Sequence, residues 1–389
     1  MQQSQITIKD LKSFLNHIVS NNRQLQEEGK TPVAVEVVGD SGIGKTSSII
    51  QLAQELDLNF VKLNLAQIEE LGDLVGFPIR QFEMIKGDEV KMVDENHISE
   101  YKELGYKSTG KNQMSYCPPE WISGKEKGGI LLLDDWNRAD LRFIQAIMEL
   151  IDRQQYISWT LPKDWHIILT SNPDNGDYIV NSIDNAQKTR FISVNLKFDI
   201  NCWSEWAEEN GIDSRCINFL LMNKELVTKD TNSRSITTFF NSISSIPTFE
   251  KELSLIQMIG EGSVGAEFAS MFNMFINNKL DKLLSPEKIM LDENEDYVMS
   301  ALKSSIGEDD KYRADIASTL STRIINYSLN YSKENKISKE YINRIIKLTT
   351  SNLFTNDLKY NIVKKIYNGN STKFQMLTLN KDVIKFITK

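Results

Sequence analysis

Short, almost wholly apolar runs recur through the first half of the chain, interleaved with stretches whose apolar residues fall three and four apart. The runs are residues 32–38 (PVAVEVV), 59–65 (NFVKLNL), 128–136 (GGILLLDDW), 165–173 (WHIILTSNP) and 190–196 (RFISVNL). They predict strands buried on two faces, hence a parallel sheet with helices on either side. Helical spacing appears at residues 8–26, where Leu11, Phe14, Leu15 and Ile18 form one stripe, from the glycine turn after residue 38 to about residue 56, and at 141–154. Between residues 78 and 121 the pattern breaks under high charge, with Gly87, Gly105, Gly110, Pro118 and Pro119, so an irregular insert is expected there. From about Trp203 the period becomes helical, as in residues 216–226, 235–246 and 267–280. Residues 292–310 are acidic and weakly patterned, reading as a linker, and further helices follow, one of them capped by Ser338.

Composition narrows the class. The 389 residues are 40% hydrophobic and 25% charged, ordinary values for a globular protein of two or three domains. No apolar run approaches the roughly 18 residues of a membrane helix, and the polar start (MQQSQITIKD) shows no signal peptide, so a cytoplasmic location is expected. Cys117, Cys202 and Cys216 are scattered, as are His17, His97 and His166, which fits a reducing compartment and gives no zinc-ligand spacing. Charge is uneven: residues 303–389 hold 16 basic against 8 acidic residues, leaving −16 on the remainder of a chain whose net is −8. An acidic body disfavours duplex binding through phosphate neutralisation, and the basic end reads first as a solvated helical face.

The most informative stretch follows the first strand. Gly39-Asp40-Ser41-Gly42-Ile43-Gly44-Lys45-Thr46 matches G-x-x-x-x-G-K-[ST], with Ser47 next and a helical stretch after it. Glycines let the backbone take positive φ and approach a ligand without a Cβ, so successive amides at a helix start can cradle phosphate. Lys45 would reach the β- and γ-phosphates of ATP and Thr46 would ligate Mg²⁺. At ordinary residue frequencies the pattern arises by chance in about one per cent of chains this long. A partner carboxylate is expected at the end of a neighbouring strand, and Asp134-Asp135 supply it, Asp134 for Mg²⁺ and Asp135 to polarise the attacking water.

With these two motifs in place the chain resembles an AAA+ ATPase and, within that class, the MoxR-like family. The matching stretches are GDSGIGKT, LGDLVGFP, LLLDDWNRAD, LTSNPDNGDYIVNSID, KTRF and NSRSIT, in family order, from about residue 33 to 240. The resemblance implies a P-loop NTPase α/β domain at 1–202 with an insert at about 78–121, an all-α lid at 203–291 and a helical C-terminal region at 292–389. It implies that Asn172 is a sensor residue, Arg190 an arginine finger reaching a neighbouring subunit's nucleotide, and Arg234 a second sensor on the lid. It implies a hexameric ring, a client protein and a von Willebrand A-type partner, an insert that projects towards a central channel where Phe82, Tyr101, Tyr106, Tyr116 and Trp121 would grip a client, and a short hairpin at residues 154–161 ahead of the sensor strand. Two positions depart from the family. Asp135 stands where Glu is usual, which predicts slow hydrolysis, since about 1 Å of lost reach can cost about a hundredfold. No acid directly precedes Arg190, and Arg138 is a further candidate for an intersubunit contact.

Other functions fit parts of the same pattern. A nucleic-acid-directed AAA+ motor would use the basic C-terminal region, although no recognisable nucleic-acid module follows the lid. A nucleotide-gated scaffold would bind ATP and hydrolyse it weakly through Asp135. The abundance of Lys, Asn and Ile fits an AT-rich genome such as a bacteriophage's.

Overall fold

In the computed structural model, which describes residues 5–278 and 283–386, the apolar runs become strands of one sheet. In chain order the first unit contains β1 (Gln5–Ile6), α1 (Ile8–Glu27), β2 (Ala34–Val38), α2 (Lys45–Glu55), β3 (Asn59–Asn64) and α3 (Leu71–Val75). An insert follows, with β4 (Phe77–Lys86), β5 (Glu89–Asp94), α4 (Ile98–Glu103) and β6 (Lys107–Cys117). Then come β7 (Gly129–Asp134), α5 (Leu141–Arg153), β8 (Gln155–Tyr156), β9 (Trp159–Thr160), β10 (Trp165–Ser171), α6 (Asn185–Lys188) and β11 (Phe191–Leu196). Among the described residues six strands pair in the order β1-β11-β2-β10-β7-β3, every pair parallel.

The alternation of side chains explains why both faces are covered. Val35, Val37, Ile130, Leu132 and Ile168 pack with Leu11, Leu15 and Ile18 of α1 and Ile49 and Leu52 of α2. The residues between them, including Leu131, Leu133, Ile167 and Leu169, turn to the other face and meet Phe143, Ile144 and Ile147 of α5. This is the α/β class expected from the buried runs. β1, a two-residue strand ahead of α1, carries too little pattern to be seen in the sequence. Thr7 caps α1 in a reciprocal capping box with Asp10, a Thr-x-x-Asp variant of the usual spacing.

Two expectations are overturned. The insert is regular: β4, β5 and β6 form an antiparallel sheet in the order β5-β4-β6 around Met84, Val93 and Tyr106. Its signal was the Gly87-Asp88 pair between two alternating runs, a two-residue hairpin turn. Its aromatics are largely packed: Tyr106 is buried and donates to Glu89, and Trp121 donates to the Leu74 carbonyl while meeting the Trp159 ring edge-on. Phe77, Val90, Leu104 and Met114 are the large apolar side chains that the insert exposes. The expected hairpin at 154–161 forms as β8 and β9.

The second overturned expectation concerns residues 292–310, read as a linker. Glu295–Ile306 is a helix whose Val298, Leu302 and Ile306, four apart, are buried. Acidic residues in its first turn, favourable at a helix N-terminus, masked that stripe in the sequence.

The chain divides into two units, Met1–Phe198 and Asp199–Lys389. The second is helical: α7 (Ile200–Glu209), α8 (Ser214–Met222), α9 (Ser233–Ile243), α10 (Leu253–Val264), α11 (Ala266–Asn277), α12 (Pro286–Leu291), α13 (Glu295–Ile306), α14 (Ala314–Glu334), α15 (Lys339–Thr350) and α16 (Asn356–Gly369), with shorter turns after it. Phe219, Phe239, Phe268 and Phe272 meet edge-on among α8, α9 and α11. A separate aliphatic cluster holds α12 to α16 together. Ser338 caps α15, as read from the sequence. The last two residues of the expected helix at 267–280 and the final three of the basic C-terminal stretch lie outside the described residues. No described helix is long and apolar enough to cross a membrane.

Candidate functional site

All strands of the main sheet point the same way, so their carboxyl ends share one edge, where open α/β sheets bind ligands. The loop from Gly39 to Gly44 leaves β2 at that edge and runs into α2. Its conformation needs its glycines. Gly44 has φ of 97°, and a Cβ on Gly39 would meet the Leu196 carbonyl oxygen at 2.8 Å and Ile43 Cδ1 at 2.7 Å. The Gly39 amide donates to the Ser171 carbonyl, tying the loop to β10. Ile43 is buried under the loop, and Ser47 is exposed on the first turn of α2.

Lys45 is buried, with Nζ donating to the carbonyls of Gly39 (2.6 Å) and Asp40 (2.9 Å) and to Asn172 Oδ1 (3.3 Å). Asn172, at the end of β10, donates in turn from Nδ2 to Asp135 Oδ1 at 3.1 Å. Asp135 takes a left-handed backbone, φ 51°, and its amide donates to Thr170 Oγ1. Thus the phosphate-loop lysine, the sensor candidate and the second acid form one hydrogen-bonded chain.

Beside it, Thr46 Oγ1 donates to Asp134 Oδ1 at 3.0 Å, and the same oxygen accepts from Thr170 Oγ1. Lys62 Nζ, from β3, lies 2.8 Å from Asp134 Oδ2. Burial raises the Asp134 pKa, but Lys62 and the two hydroxyls outweigh it and hold the carboxyl below the usual range. The expected adjacency needs correction: β7 does not neighbour β2, because β10 lies between them. Asp134 meets Thr46 across that strand, and Thr170 of β10 fills the gap with a hydroxyl.

Sequence reasoning missed five residues here. Thr170 and Lys62 complete the Asp134 shell. Asn137 donates from Nδ2 to the Asn172 carbonyl and accepts its amide, fixing the end of β10. Tyr178 Oη accepts the Ser41 amide at 3.1 Å and donates to Asp40 Oδ1 at 3.4 Å, clasping the loop after β10 to the phosphate loop. Glu36, the fifth, was visible as the one charge inside an apolar strand.

Arg190 and Arg138 stand apart from this cluster. Arg190 Nε donates to Asp152 Oδ2 of α5 at 2.6 Å, and Arg138 is exposed. Arg234 belongs to the second unit, exposed in the first turn of α9, where its amide donates to the Asn232 cap.

No family model and no curated protein matches the chain. Among solved structures, the Thermotoga maritima RuvB Holliday junction branch migration motor is similar at 13% identity, covering 77% of this chain and 82% of its own, with a TM-score of 0.35. A mutant of that RuvB, with the same identity and coverage, reaches 0.38. A candidate ATPase from Cytophaga hutchinsonii is 14% identical over 91% of this chain and 89% of its own, at 0.33. These superpositions are loose, so the strand order and the residues at its carboxyl edge carry the fold: a parallel α/β sheet of the P-loop NTPase kind with a helical C-terminal unit.

Proposed function

We propose that the chain is an ATP hydrolase of the AAA+ class, resembling the MoxR-like family, which turns over ATP in a ring to remodel a client. The observation that carries this reading is the convergence of Lys45, Thr46, Asp134, Asp135 and Asn172, from three separate segments, at the carboxyl edge of one sheet.

The residues fit a magnesium triphosphate. Gly39 lies where a Cβ would collide, the Gly44 conformation needs no Cβ, and a helix begins at Lys45, an arrangement suited to phosphate. The residues from Asp40 to Ser47 would line the phosphates, and Thr46 with Asp134 supplies the hard oxygen ligands that Mg²⁺ prefers. When bound, the metal would neutralise charge on the phosphates. Lys45, pre-set by two carbonyls, adds its own positive charge there. Asp135 accepts the proton of the attacking water, and Asn172 keeps that carboxylate oriented.

Arg190 is assigned to a neighbouring subunit's site. Its bond to Asp152 is a half-exposed ion pair, worth about 0–1 kcal/mol, so release towards a partner costs little. Arg234 is assigned to the lid, 203–291, with 292–389 as the C-terminal region. A hexameric ring and a von Willebrand A-type partner follow the family resemblance, a cytoplasmic setting follows the few scattered cysteines, and phage origin follows the composition rich in Lys, Asn and Ile. The test is ATPase activity against protein concentration: specific activity should rise with concentration and vanish in Lys45→Ala. Activity flat with concentration argues against the ring, and no nucleotide binding removes the reading altogether.

A further inference from the structure

One carboxyl side chain lies inside the parallel sheet and touches none of the site residues directly. Glu36, in the middle of β2, is 3% exposed. Its Oε1 accepts from Trp136 Nε1 at 3.0 Å and from Ser171 Oγ at 2.8 Å, and its Oε2 accepts from Ser193 Oγ at 2.6 Å. Burying a carboxyl group in an apolar sheet is costly unless its oxygens are satisfied, whereas an aliphatic side chain would fill the space without that demand. All three donors are neutral, and two of them adjoin a residue of the proposed site. Trp136, fully buried, follows Asp135; Ser171 precedes Asn172; Ser193 lies on β11, three residues after Arg190.

Main-chain pairing sets the register of β2, β10 and β11, but the turn after β7 lies beyond the ladder. There Asp135 holds a left-handed backbone, uncommon outside glycine and tolerated by aspartate, whose carboxylate direction the turn sets. The Trp136 indole, pinned by Glu36 and set edge-on against Phe191 at 5.6 Å, anchors the residue that follows this turn.

We propose that Glu36 is a positioning residue for hydrolysis, holding the Asp135 turn, the end of β10 that bears Asn172 and the start of β11 in one frame. This inference rests on the hydrolase reading above. Loss of the frame displaces the Asp135 carboxylate relative to Asn172 and leaves the phosphate loop in place, so it acts on kcat and spares nucleotide affinity.

The test uses the full chain with Glu36→Leu, Glu36→Gln, Trp136→Phe and the Glu36→Leu/Trp136→Phe double variant. Steady-state ATPase assays give kcat and KM, and calorimetry gives the affinity for a non-hydrolysable ATP analogue. Glu36→Leu should lower kcat about tenfold to a hundredfold, the range expected for a misplacement of order 1 Å, with analogue affinity within about twofold. Glu36→Gln, which keeps an acceptor, should restore most of the rate. Trp136→Phe should lower kcat, and the double variant should be no slower than the slower single one, as for groups acting as a unit. Unchanged kcat in folded Glu36→Leu overturns the proposal, as does a parallel loss of rate and affinity. Should Glu36→Leu not fold, unchanged kcat in Trp136→Phe overturns it equally. A wild-type chain that never turns over ATP removes the hydrolase reading and this inference together. A wild-type chain that does, beside an equally active Glu36→Leu, removes only this one.

Discussion

Asn172 bridges Lys45 and Asp135: its Oδ1 accepts from the lysine at 3.3 Å and its Nδ2 donates to the carboxylate at 3.1 Å. One amide thus links the lysine proposed to reach phosphate to the carboxylate proposed to polarise water. Asn172→Ala should lower kcat by about a hundredfold, the scale of losing one preorganised donor, with little change in nucleotide affinity. Steady-state kinetics beside calorimetry check this, and equal losses in both would show that Asn172 serves binding.

Asp135 is short, yet it already meets Asn172. Asp135→Glu lengthens the side chain into that contact, so turnover should fall about tenfold or more. A large rise would make Asp135 a weakened catalyst and favour the nucleotide-gated scaffold.

The Arg190–Asp152 pair separates two roles for the arginine. If Arg190 acts on a neighbouring subunit, Arg190→Ala should abolish the concentration-dependent activity while Asp152→Ala leaves it within about twofold, since a half-exposed pair contributes at most about 1 kcal/mol. Similar losses of thermal stability in both variants, with activity intact, would assign the pair to structure alone.

Lys62 holds the Asp134 oxygen that Thr46 and Thr170 leave. Lys62→Met removes a cation that competes at this carboxylate. The Mg²⁺ concentration for half-maximal nucleotide binding should fall about threefold to tenfold, on the scale of a partly exposed ion pair. A fluorescent nucleotide titrated with Mg²⁺ reads this directly, and an increase would make Lys62 a phosphate ligand instead.

His166 supplies a pH dependence. Burial pushes its pKa below the ordinary histidine value, and the bond to Asp164 offsets this only in part. The unfolded chain therefore binds the proton first as pH falls. The stability that the neutral ring contributes is fully present above the ordinary histidine value and is lost on acidification towards the folded value. Urea midpoints should fall between about pH 7 and pH 5, and His166→Gln should flatten that slope. An unaltered slope would trace the acid sensitivity to carboxylates such as Asp164.

Local order alone determined much of this protein. The phosphate loop, both acids, the helices and the parallel sheet follow from residue spacing within short windows, because side-chain period and turn chemistry act over a few residues. The insert hairpin and the helix Glu295–Ile306 were legible too, in a Gly87-Asp88 turn and a four-residue stripe, but charge obscured both. Tertiary structure decided what meets what. Only the strand order places β10 between β2 and β7, so that Thr46 finds Asp134 from 88 residues away. Glu36 finds Trp136, Ser171 and Ser193 across 100, 135 and 157 residues. Pairings of that range depend on which strands become neighbours and in what register, a property of the whole sheet that no single window of sequence contains.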